Sequence, residues 1–157
     1  MIRLLAFLLV SVPALAAELK PFDAKSPQAI EQANKNRPYV LVFWSIYCEP
    51  CRAEMKEWGA LKAKHPNVGF VLVSTDLAQD RPVVQKFLAQ YDLRKVDSWI
   101  FADEFGERVR YAVDPAWRGE LPRTYLVDAQ GRREVHTGIL EPKAFAAWLT
   151  RNSGRRP

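Results

Sequence analysis

Two cysteines stand three residues apart in this chain, Cys48 and Cys51, with Glu49 and Pro50 between them. They are the only cysteines among 157 residues. A C-x-x-C pair can cycle between dithiol and disulfide, and no other thiol is present to share that chemistry or to staple the fold. The residues before the pair, Tyr39 to Trp44, are an apolar run of β-branched and aromatic side chains, which predicts a fully buried strand. The residues after it read as a helix, with Met55, Trp58 and Leu61 on one face. Cys48 therefore falls where a helix begins. Free backbone N–H groups and the positive dipole end favour an anion there. Such a site can bring a cysteine pKa from about 8.5 to roughly 3.5–7.5. The thiolate is the nucleophile, so Cys48 is expected to attack. Cys51, one turn deeper, is expected to resolve the mixed disulfide by closing an intramolecular one. Pro50 has no N–H to donate and a fixed φ, which suits the first helical turn.

Glu49 and Glu54 flank the pair. A carboxylate near Cys51 could accept its proton as the resolving thiolate forms. The same charge would raise a neighbouring thiol's pKa. The alternative is that both are solvated glutamates in the first turns, favourable to the dipole. Arg52 stands where a c-type haem attachment would need histidine. His65 and His136 are the only histidines and neither is spaced for a metal site with the cysteines, so no metal is expected and each reads as a surface or edge residue. The dithiol could instead hold Cu(I), which soft thiolates select. Against a copper carrier stands the count of two methionines, Met1 included.

The stretch Phe43-Trp44-Ser45-Ile46-Tyr47-Cys48-Glu49-Pro50-Cys51-Arg52-Ala53-Glu54-Met55 resembles the active-site stretch of thioredoxin-like proteins. Within them it is similar to the exported TlpA/ResA-type thiol–disulfide oxidoreductases. A second stretch, Gly119 to Arg132, resembles the same family's Gly-x-x-Pro, apolar strand and Asp-x-x-Gly turn. The resemblance implies a thioredoxin fold: α/β, with a central mixed β-sheet flanked by helices in a three-layer α/β/α sandwich. It implies an enzyme that reduces disulfides of other exported proteins, of the kind that matures cytochrome c or metal sites. A membrane thiol–disulfide donor would regenerate it, and no cofactor is implied beyond the redox-active disulfide Cys48–Cys51. The alternative direction is an oxidant that forms disulfides.

The resemblance also implies a cis bond at Leu121–Pro122, with both residues near the disulfide and binding extended substrate. Tyr47 reads as a rim contact for substrate, and Trp44 as a core aromatic. Arg123 could place a cation beside the thiolate. One departure stands out: thioredoxins carry a buried acid six residues before the first cysteine, and this chain has Val42. A base would then come from Glu54, Glu49 or water.

The elements that position these residues follow from the pattern along the chain. Met1 to Ala16 has a basic start at Arg3, an apolar middle and an Ala14-Leu15-Ala16 end, which predicts a signal peptide cut after Ala16 and a periplasmic protein. An uncleaved membrane anchor is the alternative. Its apolar run is shorter than a spanning helix wants, and Pro13 interrupts it. Cleavage leaves 157 − 16 = 141 residues, one thioredoxin-like domain over 17–157. The net charge of +5 becomes 22 − 18 = +4 without Arg3, and it is scattered. No stripe of basic and aromatic residues points to nucleic acid. With no dimerisation segment visible, a monomer is expected. Ala17 to Lys25 reads as a loose lead-in. Ser26 should cap a short helix begun by Pro27. Val68 to Ser74 reads as a second buried strand. Asp80 should cap a helix from Arg81 to Tyr91 with Val84, Phe87 and Leu88 inward. Trp99 to Ala102 reads as a short strand, and Glu104 to Trp117 gives no clear pattern. Arg123 to Val127, the turn Asp128 to Gly131, and Arg133 to Thr137 read as a hairpin. Pro142 to Leu149 reads as the last helix, with Phe145, Trp148 and Leu149 inward.

Overall fold

The structure, a computed structural model, describes residues 18–102 and 105–152. The predicted signal peptide lies outside the described residues. Six strands form one sheet in the order β1 (Leu19–Phe22), β4 (Asp97–Phe101), β3 (Gly69–Ser74), β2 (Tyr39–Trp44), β5 (Arg123–Val127), β6 (Arg133–Thr137). The first four run parallel. β5 pairs antiparallel with β2, and β6 antiparallel with β5. The sheet is mixed, as expected.

β2 lies at the centre, and all six of its residues are buried. Alternate side chains enter two different cores. Val40, Val42 and Trp44 face one, with Met55 and Trp58 of α2 (Glu49–Lys64), Val84 and Leu88 of α3 (Arg81–Gln90), and Phe145 and Trp148 of α5 (Pro142–Asn152). Tyr39, Leu41 and Phe43 face the other, with Ile30 of α1 (Ser26–Ala33) and Val109 and Val113 of α4 (Gly106–Val113). Helices on both faces of a mixed sheet make the three-layer α/β/α sandwich of the thioredoxin fold.

Three expectations need correction. The lead-in holds a strand, β1. Leu19 and Phe22 are buried and Lys20 and Pro21 exposed, so Pro21, which cannot donate to a ladder, occupies an edge where that is tolerated. Ser26 is the first residue of α1 rather than its cap. The N-cap is Lys25, whose side chain makes no cap; Asp23, two residues ahead, accepts the N–H groups of Lys25 and Ser26 on its Oδ1 at 2.8 and 3.0 Å. Asp80 does stand at the N-cap of α3, at the end of a short 3-10 turn (Ala78–Asp80), but its side chain makes no hydrogen bond to the helix. The segment without clear pattern contains α4.

The turn after β5 follows its sequence. Asp128 Oδ1 accepts from Gln130 N and Arg132 N, both at 2.9 Å, and Gly131 closes the turn at φ +80. That conformation is one that glycine adopts without strain.

Candidate active site

Cys48 is the N-cap of α2 and only partly exposed; Cys51, inside the first turn, is 1% exposed. The two are joined by a disulfide. Cys51 N–H donates to Cys48 Sγ at 3.2 Å. A backbone donor aimed at that sulfur favours its anion, as does the dipole end behind it. Parallel strand β2 delivers Cys48 at its C-terminal end, where open α/β sheets collect their sites.

Pro122 reaches the same place from the opposite direction. Arg123 pairs with Phe43, so Pro122 falls level with Trp44, where β2 gives way to the cysteine loop. The Leu121–Pro122 bond is cis. Pro122 is buried and Leu121 half-buried. Gly138 N–H donates to the Pro122 carbonyl at 2.8 Å. Tyr47 stands 77% exposed at the rim, and its hydroxyl donates to Asp80 at 3.2 Å.

The two glutamates separate. Glu49 is exposed in the first turn of α2, where its charge meets the dipole. Glu54 is 4% exposed, so the solvated alternative fails for it. Leu140 N–H donates to its Oε1 at 2.7 Å, across 86 residues of sequence. Its Oε2 has no hydrogen-bond partner. Burial pushes the Glu54 carboxyl up; the Leu140 N–H and the nearby Trp58 side chain oppose that, the indole without reaching full hydrogen-bond geometry. Glu54 is three residues beyond Cys51, on the same side of the helix.

Val42 is buried and brings no acid beneath the pair. Its partner on β5 is Thr124, whose Oγ1 is buried without a partner. Arg123 is committed elsewhere. Its guanidinium donates to Tyr125 Oη at 2.7 Å, Thr137 Oγ1 at 3.0 Å and Asp114 Oδ2 at 2.6 Å. It braces the end of α4 on the far face of the sheet from Cys51. His65 caps α2 with its ring edge against Phe145, and His136 lies on edge strand β6. A cleft of about 780 Å³ between the C-terminal end of α2 and α5 lies a helix length from Cys48.

Sequence reasoning missed Asp76, a buried carboxyl behind the cysteine loop. Its only signal was position, an acid just past the C-terminal end of a buried strand.

The fold and the C-x-x-C disulfide at the head of α2 define the thioredoxin-like class. Residues 10–133 match the AhpC/TSA family, and the chain belongs to that family. It is 30% identical over 99 residues to the thiol-disulfide oxidoreductase ResA of Bacillus thuringiensis subsp. konkukian, covering 62% of this chain and 53% of that protein. It is 28% identical over 136 residues to the ResA protein of Oceanobacillus iheyensis, covering 84% and 67%. The chain thus spans about half the length of the first of these relatives. Among solved structures, it is similar to a secreted Mycobacterium tuberculosis disulfide oxidoreductase homologous to Escherichia coli DsbE. The TM-score is 0.62 at 20% identity, over 76% of this chain and 85% of that one, a likeness of fold. DsbF of the same organism matches with TM-score 0.61 and 26% identity, over 76% and 84%.

Proposed function

We propose that this chain is an exported thiol–disulfide oxidoreductase that reduces disulfides of other exported proteins. The observation that carries this reading is the asymmetry of the cysteine pair. Cys48 meets solvent at a helix N-cap, and Cys51 is buried behind it. The names of the ResA relatives and the secreted structural neighbour point the same way. In the reduced protein the Cys48 thiolate attacks a substrate disulfide. One substrate sulfur leaves as a thiolate and takes a proton, and a mixed disulfide remains. Cys51 loses its proton, with Glu54 as the proposed acceptor, and its thiolate attacks Cys48 Sγ. The second substrate thiolate leaves, and the Cys48–Cys51 disulfide carries the two electrons' worth of oxidation. A membrane thiol–disulfide donor then returns the pair to the dithiol. Leu121, Pro122 and Tyr47 form the proposed rim on which an extended substrate segment lies.

The test is reduction of insulin disulfides by the reduced full-length protein. Cys48→Ser should abolish turnover. Cys51→Ser should accumulate mixed disulfides, visible on non-reducing gels. Turnover surviving in Cys48→Ser would refute the reading. Direction is set by reduction potential: a value near or below about −250 mV places the pair with reductants, and one above about −150 mV makes the protein an oxidant.

A further inference from the structure

Only Ser45, Ile46 and Tyr47 separate β2 from Cys48. A side chain from beyond the neighbouring strand holds them. Asp76 follows β3 by two residues and is 5% exposed. Its Oδ1 accepts the Ser45 hydroxyl at 2.5 Å. Its Oδ2 accepts the Ile46 N–H at 3.0 Å and the Ser74 hydroxyl at 2.6 Å. Among the described residues no cation pairs with it. A buried carboxyl without a counter-ion depends on such donors, because losing one exposes a charge to an apolar interior. Ser45 then extends the hold toward the cysteine. Its Oγ accepts Tyr47 N–H at 3.1 Å, and its carbonyl accepts Cys48 N–H at 3.2 Å. Ser45 and Ser74 are themselves 8% and 0% exposed, so water does not compete for these bonds.

We propose that Asp76 is a positioning residue for the Cys48 thiolate. It ties loop 45–47 to the end of β3 and so holds Cys48 at the N-cap of α2, where the Cys51 N–H meets its sulfur. The inference rests on Cys48 being the nucleophile. Asp76 bonds to neither cysteine; it acts through Ser45 and Ile46. If the loop loosens, Cys48 Sγ leaves the helix N-terminus and loses the donor that favours its anion.

The experiment is alkylation of the reduced full-length protein by iodoacetamide across a pH series. Cys51 is buried, so the fast phase reports Cys48. D76A and S45A are expected to move the midpoint of alkylation upward and so to slow alkylation roughly tenfold at pH values below the wild-type midpoint, the scale of one unit in thiolate population. D76N should stay within about threefold of the wild type. An asparagine carbonyl can still accept from Ile46 and Ser74, while its amide donates to Ser45 Oγ. The loss in the D76A/S45A double variant should fall short of the sum of the two single losses, since the Ser45–Asp76 bond is removed in both. S45A removes a single hydroxyl and keeps the test open if D76A does not fold. An unmoved midpoint in D76A or S45A, with a rate below that midpoint within threefold of wild type, would overturn the proposal. So would a D76A rate faster than wild type, which would mean that the carboxyl acts through its charge. Losses that add in the double variant, or a D76N as slow as D76A, would overturn it too. Alkylation needs no oxidoreductase turnover. A wild type that alkylates normally but leaves insulin intact would count against the proposed function and not against this inference.

Discussion

Glu54 is the residue at which burial and chemistry meet. Its carboxyl is 4% exposed, holds one N–H from Leu140, and is pushed above its ordinary 4.5 by desolvation. The sign of the consequence is fixed. Below about pH 4.5 both the folded and the unfolded chain hold the proton, and the burial carries no penalty. As pH rises past 4.5 the unfolded chain releases its proton first, which favours unfolding until the folded carboxyl also ionises. The slope over that interval is at most about 1.4 kcal/mol per pH unit. Glu54→Gln does not titrate and can keep the Leu140 bond. Its stability in urea should therefore gain on the wild type from pH 4.5 upward. Parallel stability curves from pH 4 to 8 would show that the carboxyl is not held neutral by its surroundings. Asp114 and Asp128 are shifted downward and lose stability toward acid, in both proteins alike, so only the difference between the curves is diagnostic. If Glu54 also takes the Cys51 proton, the variant should slow insulin reduction by roughly 100-fold or more at pH 7, the usual scale of a lost general base. Glu49→Gln, changing a solvated side chain, should not.

At the scale of elements, β1 has the least support in sequence and a large consequence in structure. Phe22 is 0% exposed, with its ring stacked on Phe101 and edge-on to Phe43 and Trp99. Phe22→Ala should lower stability by about 3–5 kcal/mol, as large-to-small core changes do. A loss under about 1 kcal/mol in urea unfolding would mean that β1 is an ornament on the sheet edge. Why β2 was legible and β1 was not is a matter of burial. β2 is covered on both faces, so every residue from Tyr39 to Trp44 is apolar and the run declares itself. β1 is four residues long, and its exposed middle carries Lys20 and Pro21, which mask the pattern. α4 hid for a related reason: only Val109 and Val113 of its eight residues are buried, too few to set a period. The cysteines, the hairpin turn and the Leu121–Pro122 segment are local in sequence and could be read there. The Glu54–Leu140 bond and the Asp76 linkage join residues 86 and 31 positions apart, and only the folded sheet brings them together.

For the whole molecule, the sheet sets a limit on where an exported chain can be cut. Leu19 is 4% exposed in the core under α2 and α3, pairs with Ser98, and its carbonyl accepts from Arg81. A mature protein that lacked Leu19 would lose the start of β1 and uncover one end of β4. The proposed cut after Ala16 leaves Ala17 and Glu18 ahead of that strand. Among the described residues no helix is long and apolar enough to cross a membrane. Expression in a bacterium with an outer membrane, followed by osmotic release and N-terminal sequencing, should give a chain that begins at Ala17. Full-length protein retained in the membrane fraction would establish the anchored alternative. If the chain is exported, an oxidised Cys48–Cys51 pair can persist in its compartment, whereas the cytosol would keep it reduced. In cells that lack the membrane donor, an exported pair should be recovered as the disulfide. A pair found fully reduced in cells that lack the membrane donor would argue against export altogether.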